Sequence, residues 1–270
     1  MRYKDYVRPA VVILTVCSLF FGVGYGSENS LDELEVWDLV YISDSTGFGV
    51  AEKYAENIEK ETGKTVHVNN YALGHLSALR VLDALQDEPG DLANYPFQSI
   101  QKDFSKTEVI VFFANPRGDP SRGGVKGGME HCIRLDQPPD DCTPELYEPY
   151  GENLKAIYEE ILTLRNGKPT IIRAVDFYNP LISLHRQKNM ETECTQCFEI
   201  FNTAVRQAAE AFNIPLVSVY DIFNGPNHNE DPREKGYIGS DGVHASDKGQ
   251  QVIADLLSKA GYKPIEPYSQ

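Results

Sequence analysis

Four short segments of the 270-residue chain carry the polar side chains best suited to chemistry. They are Ser43-Asp44-Ser45, Ala72-Leu73-Gly74-His75, Phe113-Ala114-Asn115 and Ser240-Asp241-Gly242-Val243-His244. A serine hydroxyl is a weak nucleophile that needs a general base, and histidine serves as one near neutral pH. Asp241 precedes His244 by three residues, so it can orient the imidazole from the same loop. These residue types predict acyl transfer, with Ser45 as nucleophile, His244 as base and Asp241 as the orienting carboxylate.

Acyl transfer also requires hydrogen-bond donors for the oxyanion of the tetrahedral intermediate. The predicted donors are the backbone N–H groups of Ser45 and Gly74 and the side-chain amide of Asn115. One such donor is typically worth about 3–4 kcal/mol of transition-state stabilisation. Two neighbours of these residues, Asp44 and His75, are further candidates for contact with the substrate.

The elements that must position these residues alternate between strand-like and helix-like segments. The predicted strands are residues 36–43, 66–72, 108–114, 170–175 and 216–220, and the predicted helices are residues 48–62, 77–85, 147–165, 194–212 and 246–260. This alternation implies βαβ units, which form a parallel sheet with helices on both faces. Because ligands bind beyond the carboxyl ends of the strands in such a sheet, we expect the four polar segments to meet at one edge.

Three long connections interrupt this pattern, at residues 115–149, 177–193 and 224–240. The first is rich in glycine and proline and contains two cysteines. Loops of this length in a globular domain are usually functional or disordered. We therefore expect residues 115–149 to form a disulfide-pinned lid beside the site.

In their order, the four polar segments resemble the conserved blocks of the SGNH hydrolases, also called the GDSL family. Ser43-Asp44-Ser45 resembles the nucleophile block, Gly74 and Asn115 fall at the glycine and asparagine, and Asp241-Gly242-Val243-His244 matches the DxxH block. The resemblance covers about residues 36–260. It implies a three-layer α/β/α flavodoxin-like fold with a central parallel five-stranded sheet, a Ser-His-Asp triad, and no metal or organic cofactor.

The sequence departs from the family pattern at two of these blocks. Ser43 stands where the family has glycine, no leucine follows Ser45, and Asn115 is followed by Pro116, which has no backbone N–H to donate. These departures motivate a second hypothesis, a non-catalytic binding protein on the same fold. The presence of the serine, the aspartate and the histidine favours an enzyme, and an acyltransferase that uses the same triad is a third hypothesis.

The first 26 residues resemble a secretory leader. Arg2, Lys4 and Arg8 precede an apolar run over residues 10–21, and small glycines follow near residue 26. The run is short for a membrane span, which needs about 20 apolar residues. We therefore predict a signal peptide at residues 1–26, a single hydrolase domain at residues 27–270, and a secreted, periplasmic or extracellular protein. An uncleaved membrane anchor is the alternative.

Four cysteines lie beyond this leader: Cys132, Cys142, Cys194 and Cys197. An even number of cysteines in an oxidising compartment predicts disulfides, and we expect each cysteine to pair with its nearest neighbour in sequence. The spacing of Cys194 and Cys197 also occurs in zinc and redox sites. The chain has no second CxxC and no HxxxH partner, which disfavours a zinc site.

The negative net charge of the chain limits the classes of partner that it is expected to bind. With 25 Lys and Arg against 40 Asp and Glu, the formal net charge is -15, which argues against binding to a phosphate backbone. We expect a monomer that acts on a small-molecule or carbohydrate ester, without nucleic acid and without a membrane partner unless the leader is retained. Acetylated sugars, short-chain acyl esters and lysophospholipids are all candidate substrates. The absence of a strongly apolar stretch in the insertions favours a carbohydrate ester.

Overall fold

The computed structural model describes residues 31–86, 90–114 and 128–265, except for the side chains of residues 91 and 96. The predicted leader and Asn115 lie outside these ranges. Within the ranges, no helix is long and apolar enough to cross a membrane.

The centre of the molecule is a sheet of five parallel strands in the order β2-β1-β3-β4-β5. The strands are β1 (Val36–Ser43), β2 (Thr65–Asn70), β3 (Val109–Phe113), β4 (Ile171–Val175) and β5 (Leu216–Val217). Every residue of β3 and β4 is buried, as expected for strands that helices cover on both faces. The strand order is that of a flavodoxin-like doubly wound sheet, which confirms the predicted fold class.

Helices cover both faces of this sheet. The helices of the described residues are α1 (Val50–Thr62), α2 (Ala78–Leu85), α3 (Ile100–Phe104), α4 (Met129–Arg134), α5 (Pro144–Arg165), α6 (Ile182–Gln187), α7 (Glu191–Glu210), α8 (Val219–Asn224) and α9 (Asp247–Lys259). Helix α1 packs against α9, whereas α5 packs against both α2 and α7. The three layers place the carboxyl ends of the strands, and the polar segments that follow them, along one edge.

The fifth strand is shorter than predicted. It ends at Val217, and the chain turns into α8 at Val219 because Ser218 caps the helix, with its Oγ accepting the backbone N–H of Asp221 at 3.2 Å. Residues 216–220 are mostly apolar, β-branched or aromatic, a composition typical of a strand. The cap overrides this local preference.

The predicted lid is partly helical. Residues 115–127 lie outside the described ranges, residues 129–134 form α4, and α5 begins at Pro144, three residues before the start of the helix predicted at residues 147–165. Proline fits the first turn of a helix, where its missing N–H would have no intrahelical partner. The expectation of an irregular loop up to residue 149 is therefore wrong for residues 144–149.

The pairing of cysteines predicted from sequence neighbours is also wrong. Cys132 pairs with Cys194 and Cys142 pairs with Cys197, with Cα–Cα distances of 5.6 and 5.2 Å. Cys194 and Cys197 lie one turn apart on α7, so their side chains share one face of the helix. Both therefore meet the segment that carries Cys132 and Cys142, and the two bonds fasten that segment to α7.

Candidate active site

The nucleophile turn, residues 44–47, follows β1 directly. Asp44 caps a short 3₁₀ helix at Ser45–Gly47, and its Oδ1 accepts the backbone N–H of Thr46 at 2.8 Å and the Thr46 hydroxyl. The Tyr41 hydroxyl donates to the Gly47 carbonyl at 3.0 Å, which ties the turn back to β1. This turn holds Ser45, which is partly exposed, at the carboxyl edge of the sheet.

Residues 238–245, here called the histidine loop, form a small antiparallel turn before α9. Ile238 and Ala245 form a β-bridge, and the Gly239 N–H donates to the His244 carbonyl at 2.8 Å. Gly242 has a φ of 78°, a left-handed conformation that favours glycine and reverses the chain between Asp241 and His244. The bend at Gly242 therefore brings these two side chains together.

The structure brings Ser45, His244 and Asp241 together. His244 Nε2 lies 2.9 Å from Ser45 Oγ, although the two residues are 199 positions apart in sequence. His244 Nδ1 lies 2.8 Å from Asp241 Oδ2. These distances suit a neutral imidazole that donates from Nδ1 to the carboxylate and accepts the serine proton at Nε2.

Asp241 is held as a carboxylate by the loop that carries it. Hydrogen bonds from the backbone N–H groups of Val243 and His244, followed by the bond from the His244 imidazole, lower the pKa of Asp241 to about 2. Both N–H groups lie 2.9 Å from Asp241 Oδ1. The side chain is 55% exposed, so these local bonds rather than burial keep it ionised across the pH range of an ester assay.

The structure describes two of the three predicted oxyanion donors, the N–H groups of Ser45 and Gly74. The chain after β2 runs beside the nucleophile turn, with the Leu73 N–H donating to the Ser43 carbonyl at 3.0 Å. Apart from bonds within regular helices and strands, neither the Ser45 N–H nor the Gly74 N–H donates to a backbone carbonyl among the described residues. Asn115 lies outside the described ranges, but its neighbour Ala114 is buried and accepts the Tyr150 hydroxyl at 3.0 Å.

The two residues predicted to contact substrate, His75 and Asp44, differ in their exposure to solvent. His75 is exposed and has a φ of 59°, and its carbonyl accepts from the Arg80 guanidinium at 3.1 Å. Asp44 is 4% exposed and its carboxylate caps the nucleophile turn. The structure thus shows a structural role for the Asp44 carboxylate, and its contact with substrate stays a prediction.

Two tyrosines near the site were missed at the level of sequence. Tyr150 on α5 bonds to the carbonyl before Asn115, and Tyr178 bonds to the histidine loop. Tyr178 lies three residues beyond the end of β4, so the rule that ligands bind at the carboxyl ends of strands could have identified it. Tyr150 gave no such signal, because its position on a helix resembles that of any core aromatic residue.

Asp176, which directly follows β4, has a structural role. It is fully buried, and it accepts the Tyr220 N–H at 2.9 Å and the Ser218 hydroxyl at 2.7 Å. Burial raises the pKa of Asp176 to about 6 even though these hydrogen bonds oppose the shift. Asp176 therefore fixes the start of α8 and does not join the triad.

Asp176→Asn is expected to change how stability depends on pH. The folded protein binds this proton more tightly than the unfolded chain, so the unfolding free energy falls as pH rises from the ordinary value of 3.8 to about 6. The shift of about two pKa units corresponds to roughly 3 kcal/mol. The variant should gain about that much relative to wild type across this window in urea unfolding. Replacement of the exposed Asp255 by Asn controls for the loss of one charge, and parallel curves for wild type and Asp176→Asn would contradict the assignment.

The chain is similar to known proteins in sequence and in fold. No family model matches the chain. It is 27% identical over 222 residues to the spore germination lipase LipC of Bacillus licheniformis, a match that covers 81% of this chain and 89% of that protein.

Solved structures share the fold. The lipase Lip_vut3 from a goat rumen metagenome superposes with a TM-score of 0.61 at 20% identity, covering 85% of this chain and 100% of that chain. A variant of the acetyl xylan esterase Axe2 from Geobacillus stearothermophilus superposes with a TM-score of 0.51 at 15% identity, covering 85% and 97% of the two chains. These superpositions confirm that the predicted α/β fold is shared with ester-hydrolysing enzymes.

Proposed function

We propose that this chain, which shares its fold with solved lipases and esterases and resembles the SGNH hydrolases in its motifs, is a secreted serine esterase that hydrolyses carboxylic esters through an acyl-enzyme on Ser45. The observation that carries this proposal is the chain of contacts from Ser45 Oγ to His244 Nε2 at 2.9 Å and from His244 Nδ1 to Asp241 at 2.8 Å. A nucleophile, a base and an orienting carboxylate in this geometry are what acyl transfer requires.

Acylation begins when Ser45 Oγ attacks the ester carbonyl carbon and its proton passes to His244 Nε2. The imidazolium that forms is stabilised by the ionised Asp241, which accepts from Nδ1. The oxyanion would be held by the backbone N–H groups of Ser45 and Gly74 together with the Asn115 amide. Collapse of the tetrahedral intermediate releases the alcohol, which takes its proton from His244.

Deacylation repeats the same steps with water. His244 Nε2 takes a proton from the water, whose oxygen attacks the acyl carbon, and the second tetrahedral intermediate then breaks its bond to Ser45 Oγ. The carboxylic acid leaves and Ser45 regains its proton from the imidazolium. The triad returns to its starting state without any metal or cofactor in the scheme.

The substrate class is proposed from the exposure of the triad side chains and from the names of similar proteins. Both the His244 and Asp241 side chains are well exposed, at 42% and 55%, so an ester on a bulky carrier such as a sugar can reach them. The names of similar proteins include lipases and an acetyl xylan esterase. We propose a short acyl ester, with an acetylated carbohydrate as the preferred candidate.

Export is proposed from the leader at residues 1–26 and from the cysteines. Two disulfides that link residues 62 and 55 positions apart fit a protein that folds in an oxidising compartment. The single hydrolase domain would then extend over residues 27–270.

A direct test is to assay nitrophenyl esters from acetyl to octanoyl and then to treat the protein with an organophosphonate and locate the adduct by peptide mass spectrometry. We expect turnover that is highest for the shortest chains, and a single adduct on Ser45. Chemically unfolded protein serves as the control for nonspecific labelling. Protein that turns over no ester and takes up no phosphonate would contradict the proposal and favour a binding role on this fold. Transfer of the acyl group to added sugar in place of water would identify an acyltransferase.

A further inference from the structure

The Tyr178 hydroxyl lies between the two segments that carry the nucleophile and the base. It is 3.2 Å from the carbonyl oxygen of Val243, next to His244, and 3.5 Å from the carbonyl oxygen of Thr46, next to Ser45. The side chain is buried. One side chain therefore contacts both segments whose separation sets the distance from serine to histidine.

Buried asparagines fix the segment that carries Tyr178. The Asn202 side chain bonds to both the N–H and the carbonyl of Phe177, each at 2.9 Å. Asn179 and Asn224 bond reciprocally at 2.8 Å, from the backbone N–H and carbonyl of Asn179 to the Asn224 side chain. Because all three asparagines are fully buried, these bonds compete little with water and hold the segment firmly.

Aromatic packing fixes the ring itself. The Tyr178 ring lies 4.6 Å from the Phe223 ring, and the Phe223 ring in turn lies 5.0 Å from the ring of Tyr237, which directly precedes the histidine loop. The hydroxyl is thus held from the side of the core, whereas His244 and Asp241 are well exposed. A rigid buried anchor is positioned to restrict a partly exposed loop.

Burial raises the pKa of Tyr178 well above its ordinary value. The hydroxyl therefore remains a donor at every pH at which an ester is assayed. A hydroxyl has one proton, so it donates to one carbonyl at a time, and the shorter distance favours Val243. Donation to Val243 fixes the residue that immediately precedes the base.

We propose that Tyr178 is a positioning residue that sets the distance between Ser45 and His244 by anchoring the histidine loop against the nucleophile turn. The proposal rests on the function proposed above, because it assigns Tyr178 no contact with substrate. Its role is to keep the serine and the imidazole within hydrogen-bonding distance before substrate arrives.

Tyr178→Phe is the test, because it keeps the ring and removes only the hydroxyl. We expect kcat for nitrophenyl acetate to fall about 10- to 100-fold with KM changed less than about twofold, as small misplacements of reacting groups reduce rate. The rate of phosphonylation of Ser45 should fall by the same factor, since that reaction uses the Ser-His pair but not the ester subsites. A merely structural loss would lower the melting temperature without lowering the rate per folded molecule.

Tyr158→Phe is the matched control. Tyr158 on α5 is a fully buried tyrosine whose hydroxyl has no partner among the described residues, and its ring packs on Phe112 and Phe212. We expect its activity to equal that of wild type. Wild-type rates in Tyr178→Phe would overturn the proposal, and so would a raised KM with unchanged kcat, which would place the hydroxyl against substrate.

Phe223→Leu provides a second variant if Tyr178→Phe does not fold. It keeps the hydroxyl but removes the ring against which Tyr178 packs, and it should lower kcat in the same direction by a smaller factor. An unchanged kcat in folded Phe223→Leu would then overturn the proposal. If wild type itself shows no ester turnover and no phosphonate adduct, the proposed function fails, and that result is distinct from failure at Tyr178 alone.

Discussion

Ser45→Ala and His244→Ala are each expected to lower kcat for nitrophenyl acetate by about 10⁴-fold or more, and the double variant should lose no more than either alone. The reason is that the two side chains act as one unit across the 2.9 Å contact between Oγ and Nε2. Without the base, the hydroxyl keeps its proton, and without the hydroxyl, the base has nothing to activate. Steady-state kinetics on all three variants would measure this.

Two replacements control for this series. Ser105→Ala removes a partly exposed hydroxyl that donates to the Lys102 carbonyl, and His67→Ala removes a histidine whose side chain is largely exposed. Neither should change kcat by more than about twofold, since neither contacts the triad. Additive losses in the double variant, or residual activity of Ser45→Ala at the wild-type rate, would mean that another residue is the nucleophile.

Gly47→Ala is expected to lower both stability and activity. A Cβ at Gly47 would lie 2.6 Å from the Tyr41 hydroxyl oxygen, 2.7 Å from Ser43 Cβ and 2.8 Å from a ring carbon of Phe113. Buried side chains of β1 and β3 surround this position, so the turn must move outward and carry Ser45 with it. Overpacking of this kind typically costs about 1–3 kcal/mol of unfolding free energy. We expect kcat to fall about 100-fold, because a shift of about 1 Å at the reacting group has effects of this size.

Gly151→Ala is the matched control for Gly47→Ala. Gly151 lies within α5, and its added Cβ would make only an ordinary contact, 3.8 Å from Ala204 Cβ. Alanine in a helix interior is more stable than glycine by about 1 kcal/mol, so this variant should unfold at higher denaturant and keep full activity. Equal effects of the two substitutions would show that the space around Gly47 is not the constraint.

Most of the sheet was predictable because its signals are local. The buried strands β1, β3 and β4 are runs of apolar, β-branched and aromatic residues, and each helix that covers them has its apolar residues at helical spacing. Short helices such as α6 and α8 gave no comparable signal, because six residues make too few turns to show a periodicity. Their positions depend on caps and on tertiary packing.

The triad was also predictable, for a topological reason. Ser45 follows β1 and His244 precedes α9, so a parallel sheet brings both to the carboxyl edge whatever the detailed packing. Asp241 and His244 share one loop, and Gly242 allows its bend. The roles of Asp44 and Asp176 could not be predicted in the same way, because a carboxylate after a strand has the same local sequence whether it faces solvent, caps a turn or lies buried.

By itself, the sequence determined the doubly wound parallel architecture, because that depends on local patterns of strands and helices. It also determined which serine, histidine and aspartate are the candidates, because the fixed geometry of parallel strands brings the segments that carry them to one edge. Only the tertiary structure decided which cysteines pair, since residues 62 and 55 positions apart must first be brought together by the packing of α4 and α7. It likewise decided that Tyr178 contacts carbonyls 65 and 132 positions away. Contacts of this range follow from the completed core, in which each side chain's neighbours are set by all the layers at once.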